Sequence, residues 1–336
     1  MTNFFKILFF STMVLGTLIT IASYSWFSMW IGLEINLLSI IPLLKSHKSL
    51  YPTEAILKYF ITQALASTIL MFSIIAMLNL ESIFSSLNSV LMIIMNSALL
   101  TKMGAAPFHS WFPEVMEGLD WNNSMIMLTW QKIAPMILFS YNLQMTFFIS
   151  FVIITSTVIS GLLGFNQISL RKILAYSSIN HIGWMIASMM SMKMIWMLYF
   201  LIYSSISFNI IIILKYLHIF KLSQLFMSLT SHKLMKFLFA MNFLSLGGLP
   251  PFLGFFPKWL VVNKLIQNNF FSLSMILIVF TLIPIFFYLR MTFPSLTLYT
   301  NETLNFEPKT LNFKIVFLNS ITLFGLLICT LTFSLY

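Results

Sequence analysis

Residues 91–111 read LMIIMNSALLTKMGAAPFHSW, an apolar run that carries Lys102 and is then interrupted by glycine and proline. Residues 243–260, FLSLGGLPPFLGFFPKWL, show the same combination with a second lysine, Lys258. Proline removes a backbone donor and glycine permits unwinding, so each run predicts a helix that breaks within its span. An ordinary proline kink is the alternative for each run. Two broken helices with a charge beside each break favour an ion pathway between the two halves of a transporter.

The composition around these runs is that of a membrane protein. Of the 336 residues, 59% are hydrophobic and 8% are charged, and the mean hydropathy is +0.95. Soluble domains carry roughly 25% charged residues, so this chain could not cover its own surface with polar groups in water. The abundance of large apolar residues, the scarcity of glycine and the lone Cys329 exclude disordered, collagen-like and disulfide-stapled proteins. The basic residues do not cluster as they would in a nucleic-acid-binding protein.

The distribution of apolar residues predicts an all-α polytopic fold with about 11 transmembrane helices. A spanning helix needs about 20 mostly apolar residues. The polar connections are short, so we expect a single membrane domain over residues 1–336, whose first apolar run is a spanning helix and not a removable presequence. The predicted spans are 4–23, 25–44, 59–78, 88–106, 122–141, 146–164, 170–190, 194–214, 237–264, 272–291 and 314–335.

The positive charges predict an orientation for these spans. If the segments cross alternately, Lys193 and Lys264 fall on one face, Lys102, Lys132 and Lys258 lie inside the membrane, and the other thirteen of the 18 lysines and arginines fall on the opposite face. This asymmetry supports an odd number of crossings. The N-terminus then lies on the positive side and the C-terminus on the other side.

Five ionisable residues lie within predicted spans and away from the span ends: Glu34, Lys102, Lys132, His181 and Lys258. A charge at a helix centre costs roughly 2.5–3.5 kcal/mol on insertion scales, so each needs a partner, water or a role. The structural alternatives are that Glu34 neutralises one lysine and that His181 forms an interhelical hydrogen bond. Lys258 is the lysine best placed to extend its amine to the membrane surface.

One carboxylate cannot pair with three lysines, and this surplus suggests a mechanism. A lysine that alternately gains and loses a carboxylate partner changes its proton affinity. A row of such lysines, joined by water and histidine, can pass protons across the membrane. His109, which follows a proline near a span end, is a further candidate, with an interfacial anchor as its alternative. No His, Cys or acidic cluster has the spacing of a metal site, and no P-loop or dinucleotide fingerprint is present.

Five motifs together resemble the membrane subunits of mitochondrial NADH:ubiquinone oxidoreductase (respiratory complex I), in an arthropod-like version. They are WIGLEINLLSIIPLL (30–44), LLTKMGAAPFHSWFPEVMEG (99–118), WQKIAP (130–135), RKILAYSSINHIGWM (171–185) and FLSLGGLPPFLGFFPKWL (243–260).

This resemblance implies an antiporter-like fold and a role in proton pumping. By motif, Glu34 matches the partner of the first broken-helix lysine, Lys102, while Lys132 matches the central connecting lysine and Lys258 the second broken-helix lysine. His109 and His181 fall in matching motifs without a fixed role.

The resemblance also implies partners and a location. No cofactor is expected in this chain, while NAD, FMN, iron–sulfur clusters and ubiquinone belong to the whole complex. The expected partners are other membrane-arm subunits and the lipid bilayer, with no nucleic acid. The expected location is the mitochondrial inner membrane, with the N-terminus in the matrix and the C-terminus in the intermembrane space.

Two other functions remain open at this point. A stand-alone cation/proton antiporter would exchange ions without partner subunits. A passive scaffold would use its buried charges only to fix helix packing.

Overall fold

The computed structural model describes residues 2–45, 51–80, 85–229 and 233–297, together with residues 317, 319, 320 and 325. Within that part of the chain the regular elements are α-helices. This is the expected result, because inside a bilayer each backbone N–H and C=O group must find its partner within its own helix. The predicted span 314–335 lies largely outside the described residues.

The helices in chain order are α1 (Thr2–Ala22), α2 (Trp26–Leu44), α3 (Tyr51–Leu80), α4 (Ser85–Met103), α5 (Trp111–Gly118), α6 (Trp121–Leu128), α7 (Trp130–Phe139), α8 (Thr146–Phe165), α9 (Leu170–Ser191), α10 (Lys193–Tyr216), α11 (Leu222–Leu229), α12 (Lys233–Gly247), α13 (Phe255–Gln267) and α14 (Phe271–Thr297).

The helical membrane fold predicted from the sequence is confirmed, but the count of about 11 spans is not. Among the described residues, six helices are long and apolar enough to cross a membrane. They are α1, α2, α3, α8, α10 and α14. The remaining spans are shorter, broken or more polar, so length and apolarity alone do not identify them as crossings.

The helix boundaries divide two of the predicted spans. The predicted span 122–141 is two helices, α6 and α7, separated at Thr129 with φ −115° and ψ −73°. The predicted span 237–264 is also two helices, α12 and α13, as its glycine and proline residues predicted. The connection between the predicted spans 88–106 and 122–141 contains the helix α5. The proline-rich breaks are short, so the chain resumes a helix directly after each of them.

The helices form two compact units, Met1–Thr155 and Ser156–Tyr336. In the first unit α1 packs on α2, α3 packs on α4 and α5, and α4 packs on α7. In the second unit α9 packs against α10, α13 and α14, while α12 packs against α10 and α14. The single domain over residues 1–336 stays a prediction.

Helices α1 and α2 approach each other closely through two glycines. A Cβ added to Gly16 would lie 2.9 Å from the backbone N of Asn36, and one added to Gly32 would lie 2.8 Å from the backbone N of Thr20. Small residues allow such contact between membrane helices, whose association depends on van der Waals packing. The helix that carries Glu34 is therefore held directly against α1.

Helix α9 is buried along most of its length, including Ser177, Ser178, Asn180 and His181. Its polar residues face neighbouring helices instead of lipid. Helix α9 has 22 residues but is not among the six apolar helices. Its burial among other helices explains why it can carry more polar residues.

The break between α4 and α5 begins at Gly104, whose φ is +73°. The N–H of Gly104 donates to the carbonyl of Thr101 at 3.2 Å, and the N–H of Ala105 donates to that of Leu100 at 3.1 Å. A left-handed residue after the last helical turn is a common way to end a helix, and glycine adopts it without a Cβ clash.

The break between α12 and α13 repeats this geometry, and each residue of the first break has a counterpart at the same distance from the glycine in the second. Gly248 has φ +76°. Its N–H donates to the carbonyl of Ser245 at 3.0 Å, and the N–H of Leu249 donates to that of Leu244 at 3.3 Å. The peptide bonds Ala106–Pro107 and Pro250–Pro251, which lie at matching positions after the two glycines, are both cis. Both helices thus end by the same hydrogen-bonding pattern.

Candidate functional site

The first unit brings Glu34 and Lys102 together. Glu34 lies mid-helix in α2, and Lys102 lies in the last turn of α4. The Lys102 Nζ is 4.0 Å from the Glu34 Oε1, and the two side chains are 4% and 25% exposed. The negative end of the α4 dipole adds to the attraction of Glu34 for the ammonium group. The acid and the first lysine therefore form a buried ion pair beside the break.

A small cavity lies next to this pair. Its volume is about 20 Å³, and its lining includes both Lys102 and Lys132. One water molecule needs roughly 10–15 Å³ of such space together with polar partners. The other polar side chains of the lining are Asn36, Tyr59, Gln63 and Gln131. The cavity is large enough and polar enough to hold water between two buried lysines.

Lys132 is the third residue of α7 and is 1% exposed. Its Nζ lies 5.5 Å from the centroid of the Phe112 ring, within the range of a cation–π contact. Because α7 begins only at Trp130, the positive end of its dipole opposes a positive charge on this lysine. Lys102 and Lys132 thus line one cavity but occupy opposite ends of their helices.

Two side chains bind carbonyl groups that the first break releases. The Gln63 Nε2 lies 3.5 Å from the Lys102 carbonyl oxygen, and the Trp111 Nε1 donates to the Thr101 carbonyl at 3.1 Å. Carbonyls freed at a helix end need such partners when they are buried in a membrane. These contacts fix the end of the helix that carries Lys102.

His109 lies inside the first break, between α4 and α5. Its Nδ1 is 3.3 Å from the Pro107 carbonyl oxygen, and the residue is 9% exposed. A buried ring does not fit the alternative of an anchor at the membrane surface.

In the second unit Lys258 turns back towards the break. It is the fourth residue of α13, and its Nζ lies 2.7 Å from the Gly247 carbonyl oxygen and 3.5 Å from that of Leu246. The Nζ also lies 5.8 Å from the centroid of the Trp184 ring. Lys258, the lysine best placed by sequence to reach the membrane surface, instead has its amine among these carbonyls. The carbonyls at the end of α12 attract the amine inward, because the break leaves them without helical partners.

His181 is buried in the second unit and binds a tyrosine. Its Nδ1 lies 2.9 Å from the Tyr199 hydroxyl, and its ring centroid lies 4.9 Å from that of Tyr203. His181 is on α9, as is Trp184 one turn further along, so one face of α9 carries both the histidine and the ring beside Lys258. The interhelical hydrogen bond considered from the sequence is present.

The acidic residues after the first break, Glu114, Glu117 and Asp120, are exposed. Glu114 is in α5 and its Oε2 lies 2.8 Å from the Lys58 Nζ, while the Glu54 Oε1 lies 2.9 Å from the same amine. All three side chains are exposed.

Among the described residues, no group of three or more His, Cys, Asp or Glu side chains is placed to hold a metal ion.

Sequence reasoning missed the neutral residues around these charges. Asn36, Gln63 and Gln131 in the first unit, and Tyr199 and Trp184 in the second, contact or adjoin the candidate residues. An available signal was the presence of amides within apolar spans, since buried amides need hydrogen-bond partners.

The chain matches a known family over residues 23–284, described as NADH:quinone oxidoreductase/Mrp antiporter, transmembrane. It is 45% identical over 336 residues to NADH-ubiquinone oxidoreductase chain 2 of Anopheles gambiae, and the match covers 97% of each chain. It is 47% identical over 332 residues to the protein of the same name in Aedes aegypti, again over 97% of each chain.

A solved structure has a similar fold. A chain of respiratory complex I from Thermus thermophilus superposes with a TM-score of 0.85 and 23% identity, covering 96% of this chain and 78% of the other.

Proposed function

This chain belongs to the NADH:quinone oxidoreductase/Mrp antiporter transmembrane family, and we propose that it is a proton-translocating membrane subunit of NADH:ubiquinone oxidoreductase. Relatives that carry the name NADH-ubiquinone oxidoreductase chain 2 match it at 45–47% identity over nearly their full length. The single observation that carries the proton role is the cavity shared by Lys102 and Lys132 beside the Glu34–Lys102 ion pair.

In the proposed mechanism, Glu34 controls the proton affinity of Lys102. While the carboxylate is near, the ammonium form of Lys102 is favoured. When the pair separates, Lys102 releases a proton to water in the cavity, and the buried amine of Lys132 accepts it. His181 and Lys258 perform the corresponding steps in the second unit, and His109 is a further relay candidate.

Redox chemistry takes place elsewhere in the proposed assembly. NAD, FMN, iron–sulfur clusters and ubiquinone are bound by other subunits, whose reactions drive the proton steps here. The partners are the other membrane-arm subunits and the bilayer lipids of the mitochondrial inner membrane. We assign the N-terminus to the matrix side, because alternate crossing of the predicted spans puts thirteen of the 18 lysines and arginines on that face.

The test is substitution of Lys102→Ala and Glu34→Ala in the intact complex, with Lys58→Ala as the control for loss of an exposed lysine. We expect both buried variants to lower proton pumping and coupled ubiquinone reduction in an assembled complex, because each removes one partner of the pair. Pumping is measured as protons translocated per NADH oxidised in sealed vesicles. Normal stoichiometry and turnover in both variants would refute the proposed roles.

Two results would favour the other functions. Cation/proton exchange by the purified chain in liposomes would support a stand-alone antiporter, which the family description also includes. A scaffold would be supported if the substitutions reduced assembly of the complex, while every complex that did assemble kept the normal number of protons per NADH.

A further inference from the structure

Two amide side chains join the segments that carry Glu34 and Lys132. The Gln131 Nε2 donates to the Asn36 Oδ1 at 3.0 Å. Asn36 follows Glu34 by two residues in α2, and Gln131 directly precedes Lys132 in α7. The hydrogen bond therefore connects the helix of the acid to the helix of the central lysine.

The same two amides line the cavity that Lys102 and Lys132 share. An amide neither gains nor loses a proton at physiological pH, so neither residue can be a station of the relay. Each amide has two N–H donors and an oxygen with two lone pairs, so one mutual hydrogen bond leaves further donor and acceptor capacity. Such groups can orient water in a cavity without trapping its proton.

We propose that the Asn36–Gln131 hydrogen bond is a positioning element of the proton relay, which orients water in the cavity lined by Lys102 and Lys132 and fixes the separation of the helices that carry Glu34 and Lys132. The inference rests on the proposed proton function. It assigns to two uncharged residues a part that the ionisable residues alone do not explain, because a lysine can pass its proton only to correctly placed water.

A second amide provides the matched control. The Asn123 Nδ2 donates to the Leu43 carbonyl at 3.2 Å, which ties α6 to the end of α2. Asn123 is not part of the cavity lining. A purely structural role for the Asn36–Gln131 bond predicts that loss of either tie has the same effect.

The experiment compares Gln131→Met, Asn36→Leu, their combination and Asn123→Leu in the intact complex. We expect each cavity variant to lower the proton pumping rate about tenfold, the factor that corresponds to one lost hydrogen bond with its partner left buried. The combined variant is expected to pump no more slowly than the poorer single variant, because both changes remove the same bond. Asn123→Leu is expected to keep the normal number of protons per NADH.

Gln131→Asn is the variant for the case in which the apolar substitutions prevent assembly. It keeps the amide but is one methylene shorter, so it cannot reach Asn36 from the same backbone position. We expect the same fall in pumping. Normal pumping by assembled Gln131→Asn, or an equal fall in pumping in Asn123→Leu, would overturn the positioning role.

The Lys102→Ala variant separates the two levels of failure. If Lys102→Ala abolishes pumping while Gln131→Asn and Gln131→Met pump normally, the positioning role fails and the proton function stands. If Lys102→Ala also pumps normally, the proposed function itself fails.

Discussion

The two helix breaks share a backbone but differ in chemistry. Gly104 and Gly248 end their helices with matching hydrogen bonds and matching positive φ angles. In the first break the lysine, Lys102, precedes the glycine and faces a carboxylate on another helix. In the second break the lysine, Lys258, follows the glycine and binds the carbonyls of the preceding half-helix.

This difference shows that the repeated feature is the interruption and not the position of the charge. At corresponding positions of the two breaks, Glu114 stands where the second break has Lys258. The first break therefore depends on a partner that can be removed by mutation, Glu34. The second depends on backbone carbonyls that no substitution can delete.

The largest expected effect is that of Gly254→Ala in the second break. A Cβ on Gly254 would lie 1.7 Å from the Ser245 carbonyl oxygen, a distance that no side-chain movement can relieve. We expect loss of most of the assembled complex, measured by native gel electrophoresis. The corresponding residue of the first break, Ser110, already carries a side chain, so Ser110→Ala serves as the control and should assemble normally. Normal assembly of Gly254→Ala would show that the second break is pliable.

The next effect concerns Lys258→Met, which removes the amine and keeps the length of the side chain. Under the proposed function we expect pumping to fall by about tenfold or more, since positioned acid–base groups contribute at least that much. Glu34→Gln should impair the first break without changing the Lys258 contacts. Measuring protons per NADH in an assembled complex that carries both substitutions tests whether the two breaks act independently. A Lys258→Met complex with the normal ratio would restrict the relay to the first unit.

A smaller effect distinguishes the two positive-φ glycines. Gly104→Ala and Gly248→Ala both place a Cβ in the left-handed region, at a cost of about 1–2 kcal/mol each. The added Cβ would meet the Phe112 Cβ at 3.1 Å in the first case and the Lys258 Nζ at 3.0 Å in the second. We therefore expect similar losses of thermal stability, with pumping per assembled complex reduced only in Gly248→Ala. Equal pumping by both variants would argue that the Lys258 position is not critical.

The smallest effect is expected for Glu114→Gln, at the position that matches Lys258. It removes one of two exposed carboxylates from Lys58, and such surface ion pairs contribute little to stability. Assembly and pumping should both remain within the error of measurement. A loss of pumping in this variant would mean that the two matched positions are functionally equivalent after all.

The sequence was sufficient to predict the membrane class, the antiporter-like family and both breaks. The family match and the fold shared with the respiratory complex I chain confirm the first two. Glycine and proline act locally on the backbone, so the breaks at Gly104 and Gly248 could be located from the sequence. The separation at Thr129 could not, because no glycine stands there and Pro135 lies further along, inside α7.

The neighbours of the buried charges were beyond prediction for a different reason. An apolar span gives its length but not its rotation about its own axis when nearly all its residues are apolar. The approach of Gln131 to Asn36 joins residues far apart in the chain, and so does that of Lys258 to Trp184. Lys258 turns inward because the break in the helix leaves the Leu246 and Gly247 carbonyls without helical partners.

The glycine contact between α1 and α2 has a consequence for how the acid and its lysine part. With Gly16 and Gly32 in backbone contact, α1 and α2 leave no room for a larger side chain between them at this point. We therefore expect the backbone of Glu34 to stay in place when the pair separates. Lys102 has a four-carbon stem, so we expect its amine to move while the end of α4 stays fixed. Changes in the 4.0 Å distance between the Lys102 Nζ and the Glu34 Oε1 would then come from movement of the amine and not from movement of the helix.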